Sequence, residues 1–323
     1  MGIWEKFAVA AAVALSFARG LSAGEAKEIP SSQIVIRDPF VFADEASGKY
    51  YMPASDSQSL KMYVGENLKD WRDLGACFVP DKNFWGKRDF WAPDMFRIGG
   101  KYYIVATFSC DDAIGTNKYS NKGKSLLLRG CAALVSDRPE GPYKPVSAAE
   151  PLTPKNWMCL DGTIFGDGGN LWLIYCHEWV QSGDGEIVAQ RVSNDLSKTI
   201  GEPIILFRAS EAKWSRSMRK GENVRVTDAG VINRMPDGRL LMTWSSSGKN
   251  GYCIGAAVSE SGKVEGPWRQ LDEPLNSDDG GHAMIFKTFG GELKISYHAP
   301  NRYPERLQIK DFSWDGGNPK IGR

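Results

Sequence analysis

The chain has 323 residues, with 40 Lys and Arg against 39 Asp and Glu, a net charge of +1 and a 42% hydrophobic content. That balance excludes a basic field for nucleic acid and a polybasic patch for a membrane surface, while the length suffices for one large domain with a full core. At the start, Lys6 precedes an apolar run from Phe7 to Phe17 and then Leu21-Ser22-Ala23. This reads as a secretory signal peptide over residues 1–23, although Arg19 sits unusually before the cleavage site. The run falls short of the ~20 residues a bilayer span needs, and no later stretch could cross one. The remainder, from Gly24 to Arg323, is therefore expected to be exported, to the periplasm or the medium.

Beyond the leader a motif recurs: a polar residue, a short apolar strand, a tight turn and a second apolar strand. Arg37-Asp38-Pro39-Phe40-Val41-Phe42 leads to Tyr50-Tyr51-Met52, and Ala92-Pro93-Asp94-Met95-Phe96 leads to Tyr102 through Val105. Asp161 enters the third copy, with strands expected at Gly162 to Phe165 and Leu171 to Tyr175 around the Gly/Asp-rich turn 166–170. Asp228 and His282 enter the fourth and fifth. The lead residues 38, 94, 161, 228 and 282 are spaced by 56, 67, 67 and 54 positions. Repeats of this length, each holding several short strands, are the signature of a β-propeller, and five copies imply an all-β, five-bladed β-propeller in one domain over 24–323. A sandwich would supply hairpins without placing a polar residue at one point in each.

The stretches between these hairpins supply the outer strands, at Leu126 to Leu128, Ala132 to Val135, Glu186 to Val192 and Cys253 to Val258. Two blades end alike, in Gly141-Pro142-Tyr143 and Gly266-Pro267-Trp268, with the aromatic expected to tuck against its blade. The Lys/Arg-rich stretch from Lys213 to Lys220 reads as a solvated loop. Eleven Trp and eleven Tyr suit a neutral, exported protein that meets sugar faces, though most are expected to fill blade cores. The six cysteines show no zinc spacing, and Cys159 and Cys176 flank one hairpin closely enough to pair if they are not free thiols. No phosphate loop, zinc-protease or serine-hydrolase motif is present.

The inner strands of a propeller start around its central channel, so the lead positions should converge there. That gathers Asp38, Asp94, Asp161, Asp228 and His282, while Cys159 to Glu178 adds His177 and Glu178 at the rim of the third hairpin. Carboxylates crowded without salt-bridge partners repel, which raises at least one pKa. A high-pKa carboxyl beside a low-pKa one is the equipment of acid–base catalysis and of glycoside hydrolysis. A single Asp would more often cap a turn; a ring of them facing one funnel reads as a site.

The motifs Arg37-Asp38-Pro39-Phe40, Phe90-Trp91-Ala92-Pro93-Asp94, Leu160 to Phe165, Val226-Thr227-Asp228 and Gly280 to Phe286 together resemble glycoside hydrolase family 43, over about residues 33 to 310. The resemblance implies a five-bladed propeller that hydrolyses arabinan- or xylan-type glycans with inversion, of the α-L-arabinofuranosidase or β-xylosidase kind. It makes Asp38 the general base and Asp161 the carboxylate that orients the proton donor. Asp228 stands where the family carries a glutamate as acid in a T-E-G-P context; here the sequence is Thr227-Asp228-Ala229-Gly230, so Glu178 is a second candidate for the proton. Trp91, Asp94, His282 and Arg306 are candidate sugar contacts. His282 also matches a position that in some members meets calcium, so no cofactor is required but a structural Ca²⁺ in the channel is a candidate. The expected partner is a carbohydrate, and the chain is expected to act as a monomer. The altered surroundings of Asp228 keep open a propeller that binds glycans without cleaving them. A fructan- or sucrose-acting hydrolase fits less well, since its W-x-N-D-P-N start is absent.

Overall fold

The computed structural model describes residues 27–119 and 122–322; the expected leader lies outside them. Strands dominate, in five antiparallel sheets arranged as a five-bladed propeller. Each of blades two to five has four strands in simple sequence order. Blade one has a fifth, because Glu28–Pro30 pairs along its outermost strand, Asp70–Phe78. The innermost strands are Phe42–Asp44, Arg88–Ile98, Cys159–Asp167, Asp228–Arg234 and Gly281–Lys287. After Pro30 the chain crosses to the last blade, where Val35 bridges Arg306 and the Ile36 N–H donates to the Glu305 carbonyl at 3.1 Å. This stitches the two ends of the ring together.

The third blade shows how the sequence makes each inner hairpin. Cys159–Asp167 and Asn170–His177 run longer than the apolar residues alone marked, and register Asp167 against Asn170. The two-residue turn between them is Gly168-Gly169, with φ of 56° and 84°, the left-handed pair that a tight hairpin matching the sheet twist requires. Side chains alternate between faces. On one face Tyr175, Trp244 and Tyr297 recur on the second strands of blades three to five, all fully buried. The aromatics therefore mostly fill blade cores, as do Trp71 and Tyr51. Tyr143 and Trp268 do tuck under their blades, the Trp268 indole donating to the Val264 carbonyl at 2.8 Å. The stretch from Lys213 to Lys220 is more than a solvated loop, because Trp214 within it is buried against Trp244, with ring centroids 4.9 Å apart. All six cysteines are buried free thiols.

The register also corrects the repeat frame. Leu160 pairs with Cys176 and Thr163 with Ile174, so Asp161-Gly162 bulges out of the ladder. The same break falls between Trp91 and Asp94, between Asp228 and Val231, and between Gly281 and Met284. The residue at this point carries positive φ in every blade, within a bulge in blades two to five and in the bend ahead of the inner strand in blade one: Asp38 (55°), Ala92 (43°), Asp161 (54°), Ala229 (53°) and His282 (57°). The equivalent positions are therefore 38, 92, 161, 229 and 282. Asp228 stands one residue before its lead position, and Asp94 two residues after. Asp and His are among the few side chains that enter left-handed backbone readily.

A bulge leaves its N–H outside the ladder, and a side chain of the preceding blade accepts it. Asp161 N–H donates to Thr107 Oγ1 (2.9 Å), His282 N–H to Ser245 Oγ (2.8 Å) and Asp38 N–H to His298 Nδ1 (3.2 Å). Thr107, Ser245 and His298 occupy one equivalent position on the second strands. Thr107→Val keeps the shape but strands a donor, so it should lower stability by about 1–3 kcal/mol. Urea denaturation measures this; an unchanged midpoint would show that the Thr107 contact does not hold the bulge.

Candidate active site

The bulges aim three carboxyl groups and one imidazole at a single spot on the face where the inner strands begin. His282 Nδ1 lies 3.1 Å from Asp38 Oδ1 and 3.7 Å from Asp161 Oδ2. Asp161 Oδ2 in turn accepts the Ala229 N–H at 3.2 Å, next to Asp228. Asp228 Oδ2 accepts the Tyr252 hydroxyl at 2.8 Å. Solvent still reaches the group narrowly: the side chains of Asp38 and Asp161 are 10% and 9% exposed.

Asp38 Oδ1 is sealed in, facing His282 Nδ1, His298 Nδ1 at 3.3 Å and Arg37 Nε at 3.7 Å, and finds no donor in good hydrogen-bond alignment. Because His298 Nδ1 accepts the Asp38 N–H, His298 is neutral and carries its proton on Nε2, toward Asn301 Oδ1 at 3.2 Å. Arg37 completes this frame by donating to Asn301 Oδ1 at 2.8 Å.

These surroundings push the carboxyls apart. Burial alone would raise Asp38, but the charged His282 outweighs it and holds that carboxyl well below its usual range. Burial raises Asp228, helped by Asp38 and opposed by the Tyr252 hydroxyl and His282. Asp161 is raised well above the usual range, again by burial first. His282, which burial would depress, is pushed up to about 10 by Asp38, Asp161 and Asp94. Asp38 is thus ionised at neutral pH, while Asp228 holds its proton to higher pH than a free aspartate does, a divergence of the kind acid–base chemistry uses.

Not every expected side chain joins them. Glu178 belongs to a neighbouring pocket of about 420 Å³, where Arg129 donates to it at 2.6 Å and to Asp89 at 3.1 Å. His177 turns the other way, stacked on Trp157 and 2.8 Å from Glu186 Oε2. The rim cluster of Asp161, His177 and Glu178 is thus divided three ways. Asp94 is buried beside the pit, and burial pushes its carboxyl up to about 7. Arg306 does not reach the pit: its guanidinium donates to the Gln33 carbonyl at 2.9 Å and serves ring closure. Trp91 is 40% exposed on this face, with the Arg129 guanidinium 4.6 Å above its ring. A hollow of about 910 Å³ lies at the far mouth of the channel, lined by Phe40, Phe96 and Phe286, and is not this site.

The donors at His282 do not fit a directly bound calcium ion, which takes six to eight oxygens. Its Nδ1 faces carboxylates as a donor, its ring is positive at neutral pH, and among the described residues no group of three or more His, Cys, Asp or Glu is spaced for a metal. Sequence reading did not single out Tyr252, His298 or the acceptor role of Thr107 and Ser245. The signal was present, since Ala106-Thr107, Tyr175-Cys176, Trp244-Ser245 and Tyr297-His298 occupy one repeat position.

A propeller with an acid–base pair at one mouth is a site of the glycoside-hydrolysing kind. The chain belongs to glycosyl hydrolases family 43, whose sequence model matches residues 28–319. A solved structure titled as an endo-arabinase from Bacteroides thetaiotaomicron is similar at 44% identity and a TM-score of 0.83, covering 90% of this chain and 98% of that one. A structure titled as an endo-1,4-beta-xylanase from the same organism, at 21% identity and a TM-score of 0.71, covers 90% of this chain and 95% of that one and shares the fold. A curated relative, the probable arabinan endo-1,5-alpha-L-arabinosidase A of Aspergillus clavatus, is 26% identical over 152 residues, 45% of this chain. The match spans 42% of that relative's length.

Asp94 gives a pH test of the burial argument. A carboxyl with a raised pKa contributes stability while protonated and loses it as pH rises through the folded value. Between about pH 4 and 7 the wild type should therefore lose stability relative to Asp94→Asn, read from urea midpoints across that range. A constant difference between the two would contradict the raised value.

Proposed function

We propose that the protein is an inverting endo-acting glycoside hydrolase whose substrate is α-1,5-linked arabinan. The observation that carries the chemistry is the convergence of Asp38, Asp161, Asp228 and His282 through contacts of 3.1, 3.7 and 3.2 Å. Asp38 Oδ2 takes a proton from water as that water attacks the anomeric carbon. Asp228 gives its proton to the departing glycosidic oxygen. Asp161, fixed to the Ala229 N–H, positions the Asp228 backbone, and His282 keeps Asp38 ionised. Inversion needs the base and acid carboxyls about 6.5–9.5 Å apart, so that water fits between base and sugar.

Asp228 suits the proton donor better than Glu178. Burial raises the Glu178 carboxyl as it does Asp228, but Glu178 is held in an ion pair by Arg129 at 2.6 Å, whereas Asp228 meets only a neutral hydroxyl at hydrogen-bond distance. The choice of arabinan over xylan, and of internal cleavage over the trimming of single arabinofuranose or xylose units, is supported by the likeness to the Bacteroides endo-arabinase and by the fungal relative's name. Export by the leader at 1–23 is part of the same proposal, as it would bring the protein to a polymer.

Linear arabinan should be shortened to oligosaccharides with an early fall in viscosity, while xylan and nitrophenyl arabinofuranoside are poor substrates. Asp38→Asn should lower kcat by roughly 10²–10⁴-fold with the fold intact. Release of only monosaccharide from arabinan would contradict the endo assignment. Binding of arabino-oligosaccharides without turnover of any pentosyl substrate would instead favour a glycan-binding propeller.

A further inference from the structure

Tyr252 is a buried hydroxyl bonded directly to Asp228. It stands near the start of the third strand of blade four, Gly251–Ser259, is 6% exposed, and reaches across the blade boundary. Its ring stacks on His298 with centroids 5.8 Å apart and planes 18° apart. On the blade-five side it lies against Gly281, where any Cβ would overlap the ring. Its own N–H donates to Asp279 Oδ1 at 3.0 Å. The ring is thus held on several sides, and its hydroxyl is delivered to Asp228 Oδ2 at 2.8 Å.

We propose that Tyr252 is a positioning residue for proton donation, which occupies Asp228 Oδ2 and thereby leaves the transferable proton on Oδ1. This rests on the reading of Asp228 as the proton donor. Burial, with Asp228 next, raises the Tyr252 hydroxyl well above its ordinary value, so it is a permanent donor. A carboxyl oxygen that accepts this bond is poorly placed to carry the proton, so the proton resides on the other oxygen. Once the proton has left for the glycosidic oxygen, the same bond stabilises the carboxylate that remains. It also answers the departure at this position: an aspartate one methylene shorter than the glutamate of the T-E-G-P pattern is steadied by a hydroxyl from its own blade.

Asp228 is faced from every side, and the pH behaviour reflects all of these groups. Tyr252 comes from its own blade, His282 from blade five, and Asp38 and Arg37 from blade one. From blade three Asp161, Cys176 and Glu178 each feel its charge. Removing only the hydroxyl takes away a bond that favours the ionised form, so Asp228 should hold its proton to higher pH.

Tyr252→Phe keeps the ring between His298 and Gly281 and is the direct test. With linear arabinan, kcat should fall roughly ten- to hundredfold with little change in KM, while an activated aryl arabinoside is affected much less. The alkaline limb of the kcat profile should move up by about one pH unit. A merely structural role would lower both substrates alike and leave the limb in place; that result, or an unchanged kcat, overturns the proposal. Asp228→Asn run beside it separates the two readings. If that variant fails to spare activated leaving groups, the donor assignment is wrong and the Tyr252 proposal falls with it. If it spares them while Tyr252→Phe moves neither limb nor leaving-group dependence, only the role of Tyr252 is wrong.

Discussion

The structure depends on one repeated constraint: a left-handed residue at the head of each inner strand, in a bulge or, in blade one, a bend, that cannot use the sheet ladder. A non-glycine residue in that conformation costs about 1–2 kcal/mol, and its N–H needs an acceptor elsewhere. At three blade boundaries the acceptor comes from the preceding blade, through Thr107, Ser245 and His298. The same contacts join blade to blade and fix where the lead side chains point. At the boundary into blade four the position holds Cys176, and the Ala229 N–H is taken by Asp161 Oδ2 instead. This departure ties one acid to the backbone beside another.

Charge balance then sets the chemistry. Several carboxyls brought so close and so far from bulk water would repel strongly, and cations stand among and beside them, Arg37 at 3.7 Å from Asp38 and His282 at the centre. His282 sits between Asp38 and Asp161. Its charge is not shared evenly: it is nearest Asp38, which ionises, while Asp161 and Asp228 keep raised values. On the proposed mechanism, a general base and a general acid arise from two aspartates by placement alone. At the rim Arg129 pairs with both Asp89 and Glu178.

Much of this was legible in the sequence, because the repeat carries it. Alternating strands, tight turns and a polar residue before each inner strand suffice for five blades, and Asp38, Asp161, Asp228 and His282 do meet. The offset of Asp94 and Asp228 from the lead position was not legible, since a bulge shifts register without altering composition; only pairing such as Leu160 with Cys176 and Thr163 with Ile174 exposes it. The misreading of Arg306 has a similar source. A basic residue near the last blade's end looks like a sugar contact until the chain's first strands are seen to close the ring there. Tyr252 was hidden because it stands two strands away from Asp228 in the same blade, at a strand start that carries no motif.

The central claim is that Asp38 activates water on one side of the sugar while Asp228 protonates the leaving oxygen on the other, with no covalent sugar–enzyme bond. Following the anomeric configuration of the first-formed product of arabinan cleavage by ¹H NMR, before mutarotation, tests this most directly. The account predicts a product inverted relative to the α-linkage. A product that first appears with the α configuration would contradict it, because a retained centre requires one of these carboxylates to attack carbon itself.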